Sequence, residues 1–329
     1  MAKIAINGLG RIGGAVLKLA MDDPALEPVA VNDLNGPEQL AYQLRFDSVY
    51  GRYDKVVEAR ERALVIGDRE IRVFGEKDPA TLPWGDLAID LAFECTGVFT
   101  DATGLEKHLQ AGARKAALSA PSKSEGMPVV VPGVNHAGEA NLFSCASCTT
   151  NCITPVMEIL GRRIGVEKAI MSTTHALTGT QSVVDTANRK PERGRAGTLN
   201  TIPTSTGAAE ATTKVLPDYR DRFDGVALRV PVAIGSIADI TLVTARETTA
   251  TEINDILREQ AASERYLGVL GYTEGRLVSS DIIQDPRASV VELGLTQVVG
   301  GNLVKVLSWY DNEWGYAAQM VREAVRVTA

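Results

Sequence analysis

The sequence predicts an α/β protein of two domains, of which the first is built on a mainly parallel sheet covered by helices. Three observations lead to this fold class. The chain has 329 residues, which is long for a single hydrophobic core. The first half alternates short apolar runs with helical patterns, as βαβ units do. A second pattern begins near Ala146, where an amphipathic helix leads into several apolar runs that predict a larger sheet.

The first half is predicted to contain five strands, the first two of which form a βαβ unit, and a separate antiparallel hairpin. These strands are residues 3–7, 28–31, 87–93, 114–118 and 127–131. Apolar residues at three- and four-residue spacing from Ile12 to Ala20 predict the helix between the first two strands. Residues 56–73 alternate around a turn at Gly67 and Asp68, which predicts an antiparallel hairpin.

The second half is predicted to hold one buried helix, a long loop and a larger sheet. The helix carries the apolar residues Ile153, Val156, Met157, Leu160 and Ile164 on one face. The strand 166–174 follows it, and the polar segment 178–205 has the length of a functional loop or an interface. Further strands are predicted at 225–232, 237–244, 289–291 and 303–309, with a closing helix at 314–325.

Composition and charge narrow the class of function. Hydrophobic residues make up 45% and charged residues 23% of the chain, which is typical of a globular protein with a sizeable core. The net charge of -7 argues against nucleic acid as a partner, since such proteins carry clustered basic surfaces. No run approaches the length of a membrane span and none resembles a signal peptide, so we expect a cytoplasmic location and no membrane partner.

The cysteines predict neither a disulfide framework nor a metal site. Cys145, Cys148 and Cys152 fall close together, while Cys95 lies in an apolar stretch. Disulfides are rare in large cytoplasmic proteins. Only three histidines are present and no second paired-ligand motif accompanies the cysteines, so we expect no bound metal.

A glycine pattern at the end of the first strand predicts a dinucleotide site. Gly8, Gly10 and Gly13 form G-x-G-x-x-G between that strand and its helix, where a pyrophosphate approaches the backbone. Asp33 follows the second strand and is placed to accept a hydrogen bond from a ribose hydroxyl. The alternative is that these glycines only form turns. The loops at 95–97 and 119–121, which contain Thr96 and Ser119, are expected to line the same crevice.

A cysteine and a histidine are candidates for covalent catalysis. Cys148 begins the helix of the second half, and a helix N-terminus favours the thiolate. His175 follows the strand 166–174, so that its imidazole is available as a base for the thiol. Cys152 lies one helical turn further on and is expected to be buried and inert. Alone, the pair is also compatible with a core cysteine and a structural histidine.

Six motifs spread over essentially the whole chain carry a family resemblance. They are NGLGRIG at 7–13, SCTTNC at 147–152, TTH at 173–175, PTSTGAA at 203–209, LRVP at 228–231 and SWYDNE at 308–313. Together they closely resemble the glyceraldehyde-3-phosphate dehydrogenase family.

The resemblance implies a Rossmann-type dinucleotide-binding domain at 1–147, with a C-terminal helix at 313–329 that packs back on it, and a catalytic α+β domain with a large mixed sheet at 148–312. It also implies a homotetramer and a role in glycolysis or gluconeogenesis. The implied reaction is phosphorylating oxidation of glyceraldehyde 3-phosphate, in which Cys148 forms a thioester, His175 is the base and inorganic phosphate cleaves the thioester to give 1,3-bisphosphoglycerate.

The resemblance also assigns binding roles. The implied cofactor residues are Gly8, Gly10, Arg11, Ile12, Gly13, Asp33, Lys77, Thr96, Ser119, Asn312 and Tyr316. The implied substrate and phosphate residues are Ser147, Thr149, Thr178, Thr206, Gly207 and Arg229. Hydroxyls, backbone N–H groups and arginine are the donors that phosphates require.

Two departures from the family pattern concern specificity. Thr180 stands where family members usually carry an aspartate that orders the substrate-phosphate site, which leaves the choice of aldehyde open. Thr186 and Ala187 stand where NAD-specific members carry Leu-Pro, and small residues there relax the exclusion of a 2′-phosphate. Asp33 and Leu34 remain typical of an NAD enzyme. We therefore expect NAD to be preferred, with some use of NADP.

Three alternatives stay open at this point. The first is a dehydrogenase of another phosphorylated aldehyde, such as erythrose 4-phosphate. The second is a non-enzymatic descendant that binds a nucleotide or RNA, although such a protein has no reason to keep both Cys148 and His175. The third is a metal-dependent enzyme.

Overall fold

The computed structural model describes the whole chain, Met1–Ala329, and divides it into two compact units. The first unit comprises Met1–Val130, His136–Ala146 and Met320–Ala329. The second comprises Val131–Asn135 and Ser147–Gln319. None of the seven α-helices combines the length and the apolar character that a membrane crossing requires.

The first unit is built on an eight-stranded sheet. The unit has ten strands, of which β3 and β4 lie outside this sheet: β1 (Ala2–Asn7), β2 (Leu26–Asn32), β3 (Phe46–Asp47), β4 (Gly51–Arg52), β5 (Val57–Arg60), β6 (Ala63–Ile66), β7 (Arg69–Phe74), β8 (Leu91–Glu94), β9 (Lys115–Leu118) and β10 (Leu142–Ser144). Its complete helices are α1 (Arg11–Asp22), α2 (Pro37–Arg45) and α3 (Ala102–Gln110). The sheet order is β10-β9-β8-β1-β2-β7-β6-β5, and β3 pairs only with β4.

Parallel pairing dominates this sheet. Every pair from β10 to β7 is parallel, and β6 and β5 extend the edge in antiparallel fashion. The last four residues of β1 and all of β8 are buried, as is typical of parallel strands that are covered on both faces. The chain leaves β1 for β2 on one side, whereas β8 lies on the other side of β1. The strand order therefore reverses between β1 and β8, and ligands bind beyond the carboxyl ends of strands at such a point.

The second unit is built on a mixed sheet. Its strands are β11 (Val166–His175), β12 (Ile202–Ser205), β13 (Phe223–Arg229), β14 (Ser236–Thr244), β15 (Leu270–Thr273), β16 (Ser289–Glu292), β17 (Gln297–Val299) and β18 (Leu303–Tyr310). Its complete helices are α4 (Cys148–Ile164), α5 (Ala208–Val215) and α6 (Ala250–Ala261). The last helix, α7 (Trp314–Thr328), belongs to the second unit up to Gln319 and to the first from Met320.

The order of the second sheet is β12-β13-β11-β14-β18-β16-β15, with β17 paired to β18. The β11–β13 and β15–β16 pairs are parallel and the other pairs are antiparallel. Strand β14 alternates buried and half-buried residues, which is the pattern of a sheet with one face on the core. That core joins helix residues to sheet residues, namely Val156, Leu160, Ile253, Leu257, Ile240, Leu242 and Val306. The predicted fold class is confirmed in both units.

Three predicted strands need correction. Residues 127–131 form no strand and make only one isolated bridge, from Val129 to Ser144, because the prolines at 128 and 132 lack the N–H that a sheet ladder needs. The edge strand is β10 instead. The strand predicted at 87–93 begins only at Leu91, since the residues before it form turns, with Ala88 at φ 53°. The strand predicted at 225–232 ends at Arg229, just before Pro231.

Candidate active site and dinucleotide cleft

The three glycines of the first βα turn are explained by different steric features of their surroundings. Gly8 has φ 90°, and a Cβ atom there would lie 2.9 Å from the backbone nitrogen of Thr96. A Cβ atom at Gly13 would lie 1.9 Å from the carbonyl oxygen of Gly8, so only glycine lets helix α1 approach the turn this closely. Nothing lies within 4 Å of a Cβ atom built at Gly10, the N-cap of α1. The start of the helix is therefore open to an anion.

A cavity of about 450 Å³ lies at the carboxyl ends of β1, β2 and β8, within the first unit. It is lined by Gly8, Gly10, Asp33, Lys77 and Thr96 from the predicted cofactor set, together with Asn7, Asn32, Leu34, Asn35, Glu76, Cys95, Val98 and Phe99. Arg11, Ile12, Gly13 and Ser119 do not line it.

The predicted residues around the cavity are held by defined contacts. Asp33 accepts hydrogen bonds from the backbone N–H of Leu9 at 2.8 Å and from that of Asn35 at 2.9 Å, so its carboxylate stands beside the glycine turn. Arg11 pairs with Asp47 instead of facing the cavity. The backbone N–H of Ser119 donates to Glu94 O, at the end of a neighbouring strand.

The second unit brings the predicted nucleophile and base together. Cys148 is the first residue of α4, and the N-cap residue Ser147 accepts a hydrogen bond from the backbone N–H of Thr150 at 3.1 Å. His175 is the last residue of β11. The Cys148 Sγ atom lies 3.4 Å from His175 Nε2, within hydrogen-bond reach for sulfur. The start of α4 and the end of β11 therefore place the thiol and the imidazole next to each other.

The contacts of His175 Nδ1 determine whether Nε2 can accept a proton from the thiol. His175 Nδ1 lies 2.7 Å from the carbonyl oxygen of Ala176 and also 2.7 Å from Arg229 Nη1. One nitrogen cannot donate to a carbonyl and accept from a guanidinium at once, so the two contacts belong to different tautomers. Only the tautomer that donates from Nδ1 to Ala176 leaves a lone pair on Nε2 facing the thiol. In that state Arg229 keeps a hydrogen bond to Ala176 O at 3.2 Å.

Burial favours the neutral form of both reacting groups. Burial, and then the Arg229 charge, lower the pKa of His175 to about 3. Burial also raises the pKa of the Cys148 thiol, and the Arg229 charge opposes that rise. Burial likewise lowers the pKa of Arg229, whose Nε atom is buried without a hydrogen-bond partner. A cation with a free buried donor beside the thiol is suited to an incoming anion.

The other predicted phosphate residues lie in the second unit on separate elements. Thr149 donates to or accepts from Tyr310 Oη at 2.9 Å. Thr206 and Gly207 precede α5, and Thr206 Oγ1 accepts from the backbone N–H of Ala208. Thr178 shares a hydrogen bond of 2.8 Å with Thr180, the residue that replaces the family's usual aspartate.

Asn312 has a free amide donor that fits a cofactor carboxamide. Its Oδ1 atom accepts from the backbone N–H of Gly235 at 3.3 Å and from Ser236 Oγ at 2.9 Å. These contacts fix the amide, and its Nδ2 atom is buried without a partner. Tyr316, on α7, is buried as well. The free donor of the Asn312 amide is therefore suited to a ligand group that accepts hydrogen bonds, such as the oxygen of a carboxamide.

Sequence reasoning missed several residues around the thiol. Tyr310 lies edge-on to the His175 ring, with centroids 5.9 Å apart, and its hydroxyl also bonds Thr173 Oγ1 at 2.8 Å. The Arg193 charge also lowers the pKa of His175. Tyr310 lies within a motif that carried the family resemblance, which was the available signal. Nothing in the sequence marked Arg193 among the several arginines of its loop.

Comparisons with known proteins show the family to which the chain belongs. Residues 2–102 match the family model described as glyceraldehyde 3-phosphate dehydrogenase, NAD binding domain, and residues 147–312 match the model of the C-terminal domain. The chain is 43% identical to a glyceraldehyde-3-phosphate dehydrogenase of Clostridium acetobutylicum, over 98% of this chain and 97% of that protein. It is 44% identical to that of Borreliella burgdorferi, over 97% of both. The chain belongs to the glyceraldehyde-3-phosphate dehydrogenase family and is an NAD-dependent oxidoreductase.

Proposed function

We propose that the protein is a phosphorylating glyceraldehyde-3-phosphate dehydrogenase that converts D-glyceraldehyde 3-phosphate, NAD and inorganic phosphate to 1,3-bisphosphoglycerate through a thioester on Cys148. The observation that carries the proposal is the 3.4 Å contact between Cys148 Sγ and His175 Nε2 at the start of a helix. The names of the relatives and the NAD-binding family model support the substrate and the cofactor.

The first step is proton transfer from the thiol. His175 Nε2 takes the proton of Cys148 as Sγ bonds to the aldehyde carbon, while Nδ1 donates to Ala176 O. The backbone N–H of Cys148 and His175 stabilise the resulting oxyanion. The imidazolium gives its proton to this oxyanion, which forms the hemithioacetal hydroxyl. As a hydride leaves the same carbon, the hydroxyl returns the proton to the imidazole and the carbonyl of the thioester forms. NAD⁺ would supply the hydride acceptor when it is bound, and Gly8 and Asp33 would hold it in the cleft of the first unit.

The second step releases the product. An oxygen of inorganic phosphate bonds to the thioester carbon, the carbon–sulfur bond breaks, and the Cys148 thiolate leaves. We propose that Ser147, Thr149, Thr206 and Gly207 hold this phosphate, and that Thr178 and Arg229 hold the phosphate of the aldehyde. Arg229 supports the second assignment because its half-buried guanidinium keeps a free donor next to the reacting atoms.

A phosphate-dependence experiment tests the reaction. The purified protein is mixed with NAD and glyceraldehyde 3-phosphate, and the absorbance of reduced cofactor is followed with and without inorganic phosphate. We expect sustained turnover only with phosphate, and its loss after alkylation that mass spectrometry locates on Cys148. Sustained turnover without phosphate would mean that water resolves the thioester. No turnover with the triose, and good turnover with erythrose 4-phosphate, would reassign the substrate and make Thr180 the first residue to exchange.

Cofactor choice and assembly are separate proposals. We propose that NAD is preferred and NADP is accepted, because Asp33 stands at the cleft while Thr186 and Ala187 are small. Comparable kcat/KM values for both cofactors would refute the preference. We also propose a homotetramer, which is supported by exposed apolar residues on one face of the second sheet, Ile170 at 60% and Val226 at 49% exposure. A monomeric mass in light scattering would refute it.

A further inference from the structure

Three neighbouring strands of the first sheet end in a row of linked polar side chains. Asn32, Asn7 and Glu94 are the last residues of β2, β1 and β8, and they are register partners. Asn32 Nδ2 donates to Asn7 Oδ1 at 2.7 Å, and Asn7 Nδ2 donates to Glu94 Oε2 at 2.6 Å. All three side chains are buried, and Glu94 is completely so. The row therefore bridges β1 and β8, the two strands between which the order of the sheet reverses.

The carboxylate of Glu94 accepts three further hydrogen bonds. Oε1 accepts from the backbone N–H of Thr96 at 2.8 Å and also from the hydroxyl of Thr96. Oε2 also lies 3.1 Å from His108 Nε2, and Trp84 Nε1 lies 3.1 Å from His108 Nδ1. An indole N–H can only donate, so His108 Nδ1 accepts and its Nε2 carries the hydrogen that reaches Glu94.

The direction of the hydrogen bonds is also fixed at the Asn32 end of the row. The backbone N–H of Glu76 donates to Asn32 Oδ1 at 2.8 Å, and Asn32 Nδ2 donates to Glu76 O at 2.9 Å. The amide of Asn32 cannot flip without setting its Nδ2 against this backbone N–H. It therefore always presents a donor to Asn7, which in turn presents a donor to Glu94. The donors that reach Glu94 from Asn7 and His108 therefore have their directions fixed by the Glu76 backbone N–H and the Trp84 indole.

Only a group that accepts at both oxygens can occupy this centre. With glutamine at position 94, an Nε2 atom in the place of Oε1 would face the backbone N–H of Thr96. In the place of Oε2 it would face Asn7 and His108. A flip of Asn7 or a change of His108 tautomer would only move the conflict to a donor that cannot reverse, the Glu76 N–H or the Trp84 indole. Each arrangement leaves two donors opposed.

The network adjoins the place where two loops of the cleft meet. Gly8 follows Asn7 directly, and Thr96 lies two residues after Glu94. These loops approach so closely that a Cβ atom at Gly8 would lie 2.9 Å from Thr96 N. We propose that Glu94 is a positioning residue of the NAD cleft, which sets the distance between the Gly8 and Thr96 loops by collecting the hydrogen bonds of Asn7 and Thr96. This inference rests on the NAD-binding role of the first unit and not on the identity of the aldehyde.

The test is NAD binding to the full chain carrying Glu94→Gln, measured by calorimetry without aldehyde or phosphate. We expect the Kd for NAD to rise about tenfold or more, as the opposed donors push the two loops apart. The KM for NAD should rise similarly, while kcat at saturating NAD and the KM for the aldehyde change by less than about threefold. Because the binding assay contains no aldehyde, a failure of the proposed reaction would leave this result interpretable.

The matched control is Glu323→Gln. Glu323 lies in the same unit, is 2% exposed, and accepts hydrogen bonds from the backbone N–H of Ala137 and from Arg326. It does not line the cavity. We expect this variant to lower the Tm without changing the Kd for NAD. A Kd for Glu94→Gln within about twofold of the parent value, with only the Tm lowered, would overturn the proposal.

A second measurement needs no variant and so does not depend on folding of Glu94→Gln. The ¹⁵N spectrum of the imidazoles should show His108 as the neutral tautomer with hydrogen on Nε2 and a bare Nδ1. Trp84→Phe, which removes the terminal donor, should shift the Nδ1 resonance while leaving the Gly8 loop in place. A spectrum with hydrogen on Nδ1 in the unmodified protein would contradict the direction of the whole network.

Discussion

His175→Asn separates the role of the imidazole in catalysis from its role in stability. The change removes the ring nitrogen that lies 3.4 Å from Cys148 Sγ. A positioned general base contributes about 10²- to 10⁴-fold to a rate, which corresponds to about 3 to 5 kcal/mol in the activation free energy. We therefore expect kcat to fall by about that factor. The Kd for NAD should stay near the parent value, because His175 is not among the residues that line the cavity of the dinucleotide cleft.

The same substitution should change how stability depends on pH. The folded protein holds the pKa of His175 at about 3, whereas an unfolded histidine has a pKa of about 6.5. Between those values the unfolded chain binds a proton that the folded protein refuses, so stability is fully present above about pH 6.5 and falls as the pH decreases. At a pH about two units below 6.5 the loss is about 3 kcal/mol. His175→Asn lacks this loss, so its free energy of unfolding should decrease less as the pH falls below 6.5.

Three measurements check these outcomes. Steady-state turnover gives kcat, the rate of Cys148 alkylation gives thiol reactivity, and urea unfolding across the acid range gives the free energy of unfolding. The alkylation rate near neutral pH should fall because the thiol has lost its proton acceptor. His136→Asn is the control, since His136 is exposed and should leave all three quantities unchanged. Activity of His175→Asn within about threefold of the parent would refute the role of the imidazole as base.

Three further substitutions test separate parts of the argument. Cys148→Ser should abolish turnover while NAD binding and the Tm stay near the parent values, and residual turnover above the blank would contradict a thioester route. Gly13→Ala places a methyl group 1.9 Å from Gly8 O and should lower the free energy of unfolding by about 1 to 3 kcal/mol while weakening NAD binding, which calorimetry would detect. Ser147→Ala removes the side-chain cap that binds the Thr150 N–H and should lower the free energy of unfolding in urea by about 1 kcal/mol; an unchanged value would show that solvent replaces the cap.

The sequence was most informative where a residue type follows from local geometry. Gly8 and Gly13 could be predicted because a tight βα turn excludes a side chain at both positions, and the structure gives that exclusion as close contacts. The strands β1, β11 and β14 were predicted nearly to their ends because apolar runs bounded by polar or turn residues are local signals. The helix that begins at Cys148 was predicted from its apolar face, and the structure adds Ser147 as its N-cap residue.

Contacts between segments that are distant in the sequence could not be predicted from local sequence signals. The Glu94 network joins side chains that are up to 87 residues apart, and a carboxylate at the end of an apolar strand carries no mark of the donors around it. The prediction of a strand at 127–131 was wrong because hydrophobicity was given more weight than Pro128 within the segment and Pro132 directly after it. Arg229 was assigned by resemblance to a phosphate site, but its contact with His175 Nδ1 depends on the parallel pairing of β11 with β13.

That contact links substrate binding to the strength of the base. The Arg229 charge lowers the pKa of His175 and also that of Cys148, so it favours the thiolate while it weakens the imidazole as a proton acceptor. A phosphate dianion paired with Arg229 would offset this charge and raise the pKa of His175 toward its ordinary value. Because burial remains the larger cause, the shift would be partial, and the imidazole would stay neutral until the thiol gives up its proton. In the proposed reaction the aldehyde's own phosphate would thus raise the pKa of His175 and that of the Cys148 thiol together, so it strengthens the imidazole as a proton acceptor while it offsets the charge that favours the thiolate.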